Sequence, residues 1–593
     1  MKKIRQWIRS FRPYRYSMND IIYFRILCTA VSSLFLFILG QLGLFLIRST
    51  GRVAISTGDF DFLFKSWQGP LLIIVGLSVL FLYVVFDLNT QIIYSSKLLH
   101  NQASLIESLK EGLLSITKFF TLDGIGIILY ISLIAPIAGL GLSISLTENL
   151  YIPTFISSVI ESKPLYHALY TILIVLFFLF GLIHIFILHG ILLGRLPVNK
   201  ADDESRDLMK KNWKDFIKQN TIFILSFAAV NIFLFLLVLI IPGAVLVHLS
   251  KDLQELKINA YFVLLLYAIA FLFVNSFFQS FYLIRMTQLY YEYKGERLPF
   301  IREMKGRRWI FNLLIISAVI ALTYFSAFEI ERNFDKVFPR EVTTSIIAHR
   351  GGGNEAVENT VEGIEKAIEL GAAGSEIDIQ RTKDGYYIVN HDSTFSRLCK
   401  NPNKPSDLTL DEIKGLVIHD PNYPNDPQDI ATFEEILDAA KGKITLFIEL
   451  KGDSADQKMV DDAIRLIREK DMTDQCVLIS LKYSLIDYAE KTYPGIQTGY
   501  LTFASFGKTE NISCDYLGLE EEAATSAVIS RIHDSGRKVM VWTPNEDRAQ
   551  RHFLLSQADY IITDNIQQAI DLTKELNERE DLIVFLDFLL SLF

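Results

Sequence analysis

Residues 375–392 read SEIDIQRTKDGYYIVNHD. Glu376 and Asp378 are two apart, so in an extended strand they share one face. Two acids that close repel unless one is protonated or a cation neutralises both. A third acid, Glu449, ends the run ITLFIE. His391 closes the stretch quoted, and His349-Arg350 open a second run, HRGGGN. Three carboxylates, with no thiolate and no histidine-rich spacing, suit a hard divalent cation, Ca²⁺ or Mg²⁺. Two histidines beside it suit acid–base work near neutral pH. Arg350 offers a fork for a phosphate, the glycine amides of 351–353 could approach it, and Lys451 adds a second cation. Metal, two cationic side chains and an acid–base pair describe cleavage of a phosphoryl ester.

That chemistry requires the residues to converge, and the strand pattern says how. β-rich runs recur at 345–348, 375–379, 444–449, 475–479, 496–500, 515–518, 538–542 and 559–563, with helical patterns between most of them. Strand then helix, eight times over, predicts an α/β (β/α)₈ TIM-type barrel. In such a barrel chemistry collects where the strands end. His349-Arg350 follow the first run, Glu376 and Asp378 end the second, Glu449 the third and Trp542-Thr543 the seventh. A two-residue turn at Asp384-Gly385 would pair Lys383 with Tyr386 and set Asp378 opposite His391, returning the histidine to the acids' face. A one-residue slip would turn it away.

The barrel accounts for less than half of the 593 residues. Residues 1–338 carry 32 Lys+Arg against 22 Asp+Glu, and residues 339–593 carry 26 against 45. A basic, apolar front is joined to an acidic back: an expected membrane domain at 1–338, a catalytic barrel at 339–580 and an apolar tail at 581–593. The acidic back excludes nucleic acid as a partner, which would call for clustered positive charge. The four cysteines, Cys28, Cys399, Cys476 and Cys514, form no C-x-x-C pair and read as packing residues.

Apolar runs long enough to cross a bilayer fall at about 26–47, 70–86, 124–146, 168–194, 221–247, 260–284 and 309–328. The front is thus expected to be an all-α polytopic domain of about seven spans. Lys and Arg in the connections sum to 24 on one side and 6 on the other, which places the N-terminus in the cytoplasm and the barrel outside. The stretch 101–120 has Leu105, Leu109, Leu113, Ile116 and Phe120 at helical spacing, but charges at Glu107, Lys110 and Glu111. It reads as a helix lying on the membrane surface; as a span it would reverse the orientation. His184 and His189 lie inside the fourth run and read as interhelical hydrogen-bonding groups rather than a pathway. The tail DLIVFLDFLLSLF is too short to span; it packs on the barrel or touches the membrane.

The motifs AHRG, ENT (358–360), EIDIQRTKDG, VNHD and IELK, in this order and spacing over about 345–568, resemble the glycerophosphodiester phosphodiesterases. The front resembles, more loosely, the membrane domain that precedes this enzyme in some bacterial proteins. The resemblance implies His349 and His391 as the acid–base pair, and Glu376, Asp378 and Glu449 as ligands of one divalent cation. Arg350 and Lys451 would hold the phosphate, Glu358 would brace the site and Trp542 would line the substrate pocket. The substrate would be a glycerophosphodiester or a glycerolphosphate polymer, met at the lipid bilayer. Two departures, Val357 where the family has Pro and Ala373 where it often has Asp, bear on substrate fit. Competing readings are a phospholipase D-like lipid hydrolase and a membrane phosphodiester sensor that has lost hydrolysis.

Overall fold

The computed structural model describes residues 12–49, 54–56, 66–119, 121–129, 160, 163–299, 309–338, 341–502, 505–507 and 512–590. Eight strands build the barrel: β1 Ser345–Ala348, β2 Gly374–Arg381, β3 Thr445–Leu450, β4 Cys476–Ser480, β5 Gln497–Thr502, β6 Tyr516–Glu520, β7 Lys538–Trp542 and β8 Tyr560–Thr563. Neighbours are parallel, and β1 pairs with both β8 and β2, so the sheet closes. All eight expected runs are strands, each within two residues of its expected ends.

Alternation along β2 decides what faces the site. Ile377 and Ile379 are buried in the cluster shared with the surrounding helices. Glu376 and Asp378 therefore point to the barrel axis. The register with β3 sets Glu376 beside Phe447 and Asp378 beside Glu449. Phe447 packs along the axis with Ile347, Val477, Tyr516 and Met540. The interior is thus apolar below and acidic at the strand ends.

The return strand Tyr387–Val389 lies antiparallel on β2, pairing Ile379 with Val389 and Arg381 with Tyr387. This is one residue off the register expected of a two-residue turn. The loop holds three residues, Lys383-Asp384-Gly385. Thr382 N donates to Tyr386 O (2.8 Å), and Gly385 takes a left-handed φ of 91°, as in a type I turn closed by a glycine bulge. The Thr382 hydroxyl donates to Asp384 Oδ1 (2.6 Å), which favours the wider loop. Asp378 consequently faces Asn390 rather than His391, with Asn390 N donating to Asp378 O.

The front is helical. Five stretches among the described residues are long and apolar enough to cross a membrane: Ile21–Arg48, Pro164–Leu192, Val198–Leu246, Leu253–Tyr293 and Leu313–Arg332. The expected span 70–86 lies within the helix Gln68–Leu99. The expected span 124–146 begins in the helix Leu122–Leu129, and the rest of it lies outside the described residues. The stretch from 101 forms the 11-residue helix Leu105–Ser115, capped by Ser104 and followed by the 3₁₀ turn Ile116–Phe119. At about 16 Å it cannot span. Its small face, Ser108, Gly112 and Ser115, is buried, with Gly112 against Thr90 of the helix Gln68–Leu99, and Ile106, Leu113 and Leu114 stay exposed. His189 Nε2 meets Thr287 Oγ1 at 3.2 Å, and His184 pairs with Asp202.

Polar contacts of the helical domain sort to two ends. At one, Ser96 meets Tyr291, Tyr290 donates to Glu204, Tyr293 donates to Asp215, and Lys97 pairs with Glu107 and Glu111. At the other lie the contacts with the barrel. The strand Ala54–Ser56, between the first two expected spans, pairs antiparallel with Ser505–Gly507, just beyond β5. The tail helix Asp581–Leu590 packs Val584, Phe585 and Leu589 against Tyr261, Phe334 and Phe338, and Lys257 pairs with Asp581.

Candidate active site

His349 follows β1 directly, and its backbone N–H still bonds to Thr563 O of β8 (3.0 Å). Its ring lies between two acids: Nδ1 is 2.7 Å from Asp564 Oδ1, and Nε2 is 4.0 Å from Glu376 Oε2. Burial alone would favour the neutral ring, but the Asp564 carboxylate outweighs it and lifts the imidazole above its ordinary pKa. Burial works the other way on Asp564, yet His349 and the amide of Asn545 (2.6 Å) hold it well below the usual carboxylate range. Asp564 is a site residue the sequence reading missed. It directly follows the last residue of β8, where the rule that found His349 after β1 would have found it.

The three predicted ligands meet. One oxygen each from Glu376, Asp378 and Glu449 lie within 4.8 Å of one another. The residues are 3%, 1% and 7% exposed. Lys451 Nζ donates to Asp378 Oδ1 (2.8 Å) and Glu449 Oε2 (2.9 Å). Burial favours protonation of Glu376 and Asp378. At Asp378 the Lys451 and Arg350 charges outweigh it and hold the carboxyl well down, whereas burial and the Asp378 charge push Glu376 up. One lysine among three buried carboxylates leaves the cluster short of positive charge, and Arg350 is partly engaged by Glu358 at 3.3 Å. An all-oxygen donor set with a charge deficit fits a hard divalent cation.

The E-N-T motif divides three tasks. Glu358 holds the guanidinium groups of Arg350 and Arg397. Asn359, in a left-handed conformation (φ 57°), donates to Asp378 Oδ2 (3.0 Å) and accepts from Asp378 N (3.2 Å). Thr360 caps the helix Val361–Leu370 by accepting from Gly363 N.

His391 reaches the site despite the shifted register, because the ladder ends at Val389. Gln380, on the same face as Asp378, donates through Nε2 to Asn390 O (2.7 Å) and Asp392 O (2.8 Å), so the loop bends over the strand end. His391 Nδ1 then meets Asp392 Oδ1 (3.0 Å), and its Nε2 accepts from Arg350 (2.8 Å). Arg397 donates to Asp392 (2.7 Å) and to Glu358. A ring closes through His391, Asp392, Arg397, Glu358 and Arg350. Gln380, Asp392 and Arg397 carry no strand-end signal, since their roles arise from a loop whose path the apolar pattern does not reveal.

One expectation needs correction. Gly351 N donates to Glu376 O (2.6 Å) and Gly353 N to His349 O (2.8 Å), so these two amides brace the loop instead of facing a phosphate. A Cβ at Gly353 would collide with the Asp564 carbonyl, which ties the glycine run to the β8 loop. Trp542 ends β7, half-buried above the axial cluster beside Leu481.

This geometry has relatives. The family model for the glycerophosphoryl diester phosphodiesterase family matches residues 349–568, and that for the membrane domain of glycerophosphoryl diester phosphodiesterase matches residues 7–327, more than half of the chain. A glycerophosphodiester phosphodiesterase of Caldanaerobacter subterraneus is 26% identical over 246 residues, covering 39% of this chain and 98% of that protein. The human glycerophosphodiester phosphodiesterase 1 is 37% identical over 112 residues, covering 18% of this chain and 34% of that protein. The crystal structure of a glycerophosphodiester phosphodiesterase from Agrobacterium tumefaciens aligns with a TM-score of 0.34 at 20% identity, over 38% of this chain and 99% of that one; the barrel assignment rests on the strand pairings above. With both halves matched in their proper order, the chain belongs to the glycerophosphodiester phosphodiesterase family, as an enzyme that carries the family's membrane domain ahead of its catalytic barrel.

Proposed function

We propose that the enzyme hydrolyses glycerophosphodiesters to an alcohol and glycerol 3-phosphate at the membrane, with His349 and His391 as its acid–base pair. The observation that carries this is the pairing of two aspartate-backed histidines with three buried carboxylates at one barrel mouth. Glu376, Asp378 and Glu449 would hold one Ca²⁺ or Mg²⁺. When bound, the cation supplies charge to the phosphoryl oxygens as negative charge develops on them.

The proton steps follow from the hydrogen bonds. A carboxylate on each Nδ1 fixes the tautomer and presents Nε2 to the mouth. His391 Nε2 accepts from Arg350, so it is unprotonated there. A substrate phosphate draws the Arg350 fork to itself and leaves Nε2 to take the proton of the attacking hydroxyl. That hydroxyl belongs to water, or to the glycerol 2-position, in which case the alcohol leaves a cyclic phosphodiester that a water molecule then opens to glycerol 3-phosphate. As the phosphorus–oxygen bond to the leaving alcohol breaks, His349, whose proton Asp564 helps to retain, donates to the departing oxygen. Lys451 holds a phosphate oxygen, Glu358 keeps Arg350 aimed and Trp542 walls the substrate. Turnover of glycerophosphocholine tests this: chelation should abolish it and Ca²⁺ or Mg²⁺ restore it. Full turnover after exhaustive chelation would rule out the three-carboxylate metal site.

The same reading places the barrel outside the cell membrane and the N-terminus in the cytoplasm. The 24-to-6 charge asymmetry supports it. So does the sorting of contacts, because the connections that touch the barrel, at Ala54–Ser56 and Lys257, are the Lys/Arg-poor ones.

A further inference from the structure

The tail helix Asp581–Leu590 carries eight apolar residues and two acids. One side is accounted for: Phe585 is fully buried, Val584 and Leu589 are buried, and all three face Tyr261 of the helix Leu253–Ser276 and Phe334 and Phe338 of the linker. The opposite side carries Leu582, Ile583 and Leu586, at helical spacing and 42%, 47% and 40% exposed. Its two acids are both paired, Asp581 with Lys257 and Asp587 with Arg579, each at 2.5 Å. Both acids within the helix are thus neutralised by a cationic partner.

A stripe of three large apolar side chains on one face is not scattered surface leucine. What lies beside it selects the occupant. The tail packs against residues 258–268 of a candidate span, and the neighbouring candidate span exposes Leu322, Phe325 and Phe328. The stripe thus continues an apolar surface that bilayer lipid covers. At ten residues, about 15 Å, the helix is too short to cross, so it lies along the span's end.

We infer that Leu582, Ile583 and Leu586 are seated at the headgroup–acyl boundary of the bilayer crossed by the neighbouring spans. The barrel is then held to the lipid surface by its last helix as well as by its covalent link. The strand pairing of Ala54–Ser56 with Ser505–Gly507 is independent of the tail and ties down the other end of the barrel, since it lies beyond β5 on the mouth side. Foot and mouth are both attached, so the mouth is kept at the bilayer surface. Resting on the proposed hydrolase reading, this makes diesters with one alcohol embedded in the bilayer the favoured substrate class.

A nitroxide-quenchable fluorophore on Ile583→Cys, in a Cys399→Ser background and the full chain in vesicles, reads the seating directly. Quenching by lipids labelled near the headgroup is the expected result. Quenching by aqueous iodide alone would overturn the inference. Activity gives the second measurement. The triple variant Leu582→Gln, Ile583→Gln, Leu586→Gln leaves the docked face intact, and should lose roughly tenfold on vesicle-borne diesters while keeping its turnover of soluble glycerophosphocholine. Equal loss on both substrates, or none on either, would count against the surface role. If the unaltered enzyme turned over neither diester, the hydrolase reading would fail while the quenching result still decided the seating.

Discussion

Each histidine of the site has a carboxylate on Nδ1, Asp564 for His349 and Asp392 for His391. Replacing either histidine by Ala should lower the rate by roughly 10²–10⁴, the usual worth of a placed acid or base. The double variant should lose far less than the product of the two, because both serve one step; near-normal turnover in either single variant would refute the pair. The Asp564 contact adds a pH test with a definite sign. Asp564 holds the His349 pKa up against burial, so Asp564→Asn removes the main opposition to burial and the pKa falls. With His349 as the proposed proton donor, activity is lost as pH rises through that pKa. The alkaline limb of kcat in the metal-saturated enzyme should therefore move to lower pH; a limb that stays put would remove Asp564 from the proton path. At this scale the convergence of the three acids and two histidines at one mouth was legible because strand ends collect chemistry. Asp392 and Arg397 were not, because a ring of side chains on a loop leaves no periodic trace.

The hairpin on β2 shows how an element can deliver the right residue by an unexpected route. A two-residue turn at Asp384-Gly385 would have carried His391 to the acids through strand register. The three-residue loop shifts that register by one, and Gln380 restores the outcome by gathering the carbonyls of 390–392. Turn length depends here on the Thr382 hydroxyl reaching Asp384, a local competition that apolar alternation does not encode. Gln380→Leu should strand those carbonyls and loosen His391, lowering kcat by roughly 10–100-fold, as loss of an orienting partner does. The metal-binding midpoint should hardly move, since all three acids keep their strands. A variant that lost metal affinity in step with rate would show that Gln380 acts on the ligand strand instead. The caps behave more simply. Thr360→Ala removes one N-cap bond to Gly363 and should cost about 1 kcal/mol of stability, read as a lower Tm.

Across the whole molecule, charge and contact agree on which ends belong together. The barrel was legible from eight apolar runs, and five of the seven expected spans from hydropathy among the described residues, but the attachment between the two halves was not. Strand pairing of Ala54–Ser56 with Ser505–Gly507 involves short segments far apart in sequence, and the tail's two candidate surfaces are equally apolar on paper. The structure joins the barrel to the end where Lys and Arg are scarce, opposite the end that carries Glu204, Asp215 and the 198–234 helix start. Positive charge is retained on the cytoplasmic side during insertion, so on the proposed orientation the barrel end is the outer one. This can be read with a membrane-impermeant maleimide on intact cells. A cysteine at Asp453, which stands exposed on the barrel, should be labelled at once, whereas one at Lys214, exposed on the 198–234 helix, should react only after lysis. The four native cysteines, three of them buried, set the background to subtract. The opposite pattern would mean that the chain crosses an even number of times before residue 341, and the outward-facing enzyme would have to be given up together with any extracellular polymer as its substrate.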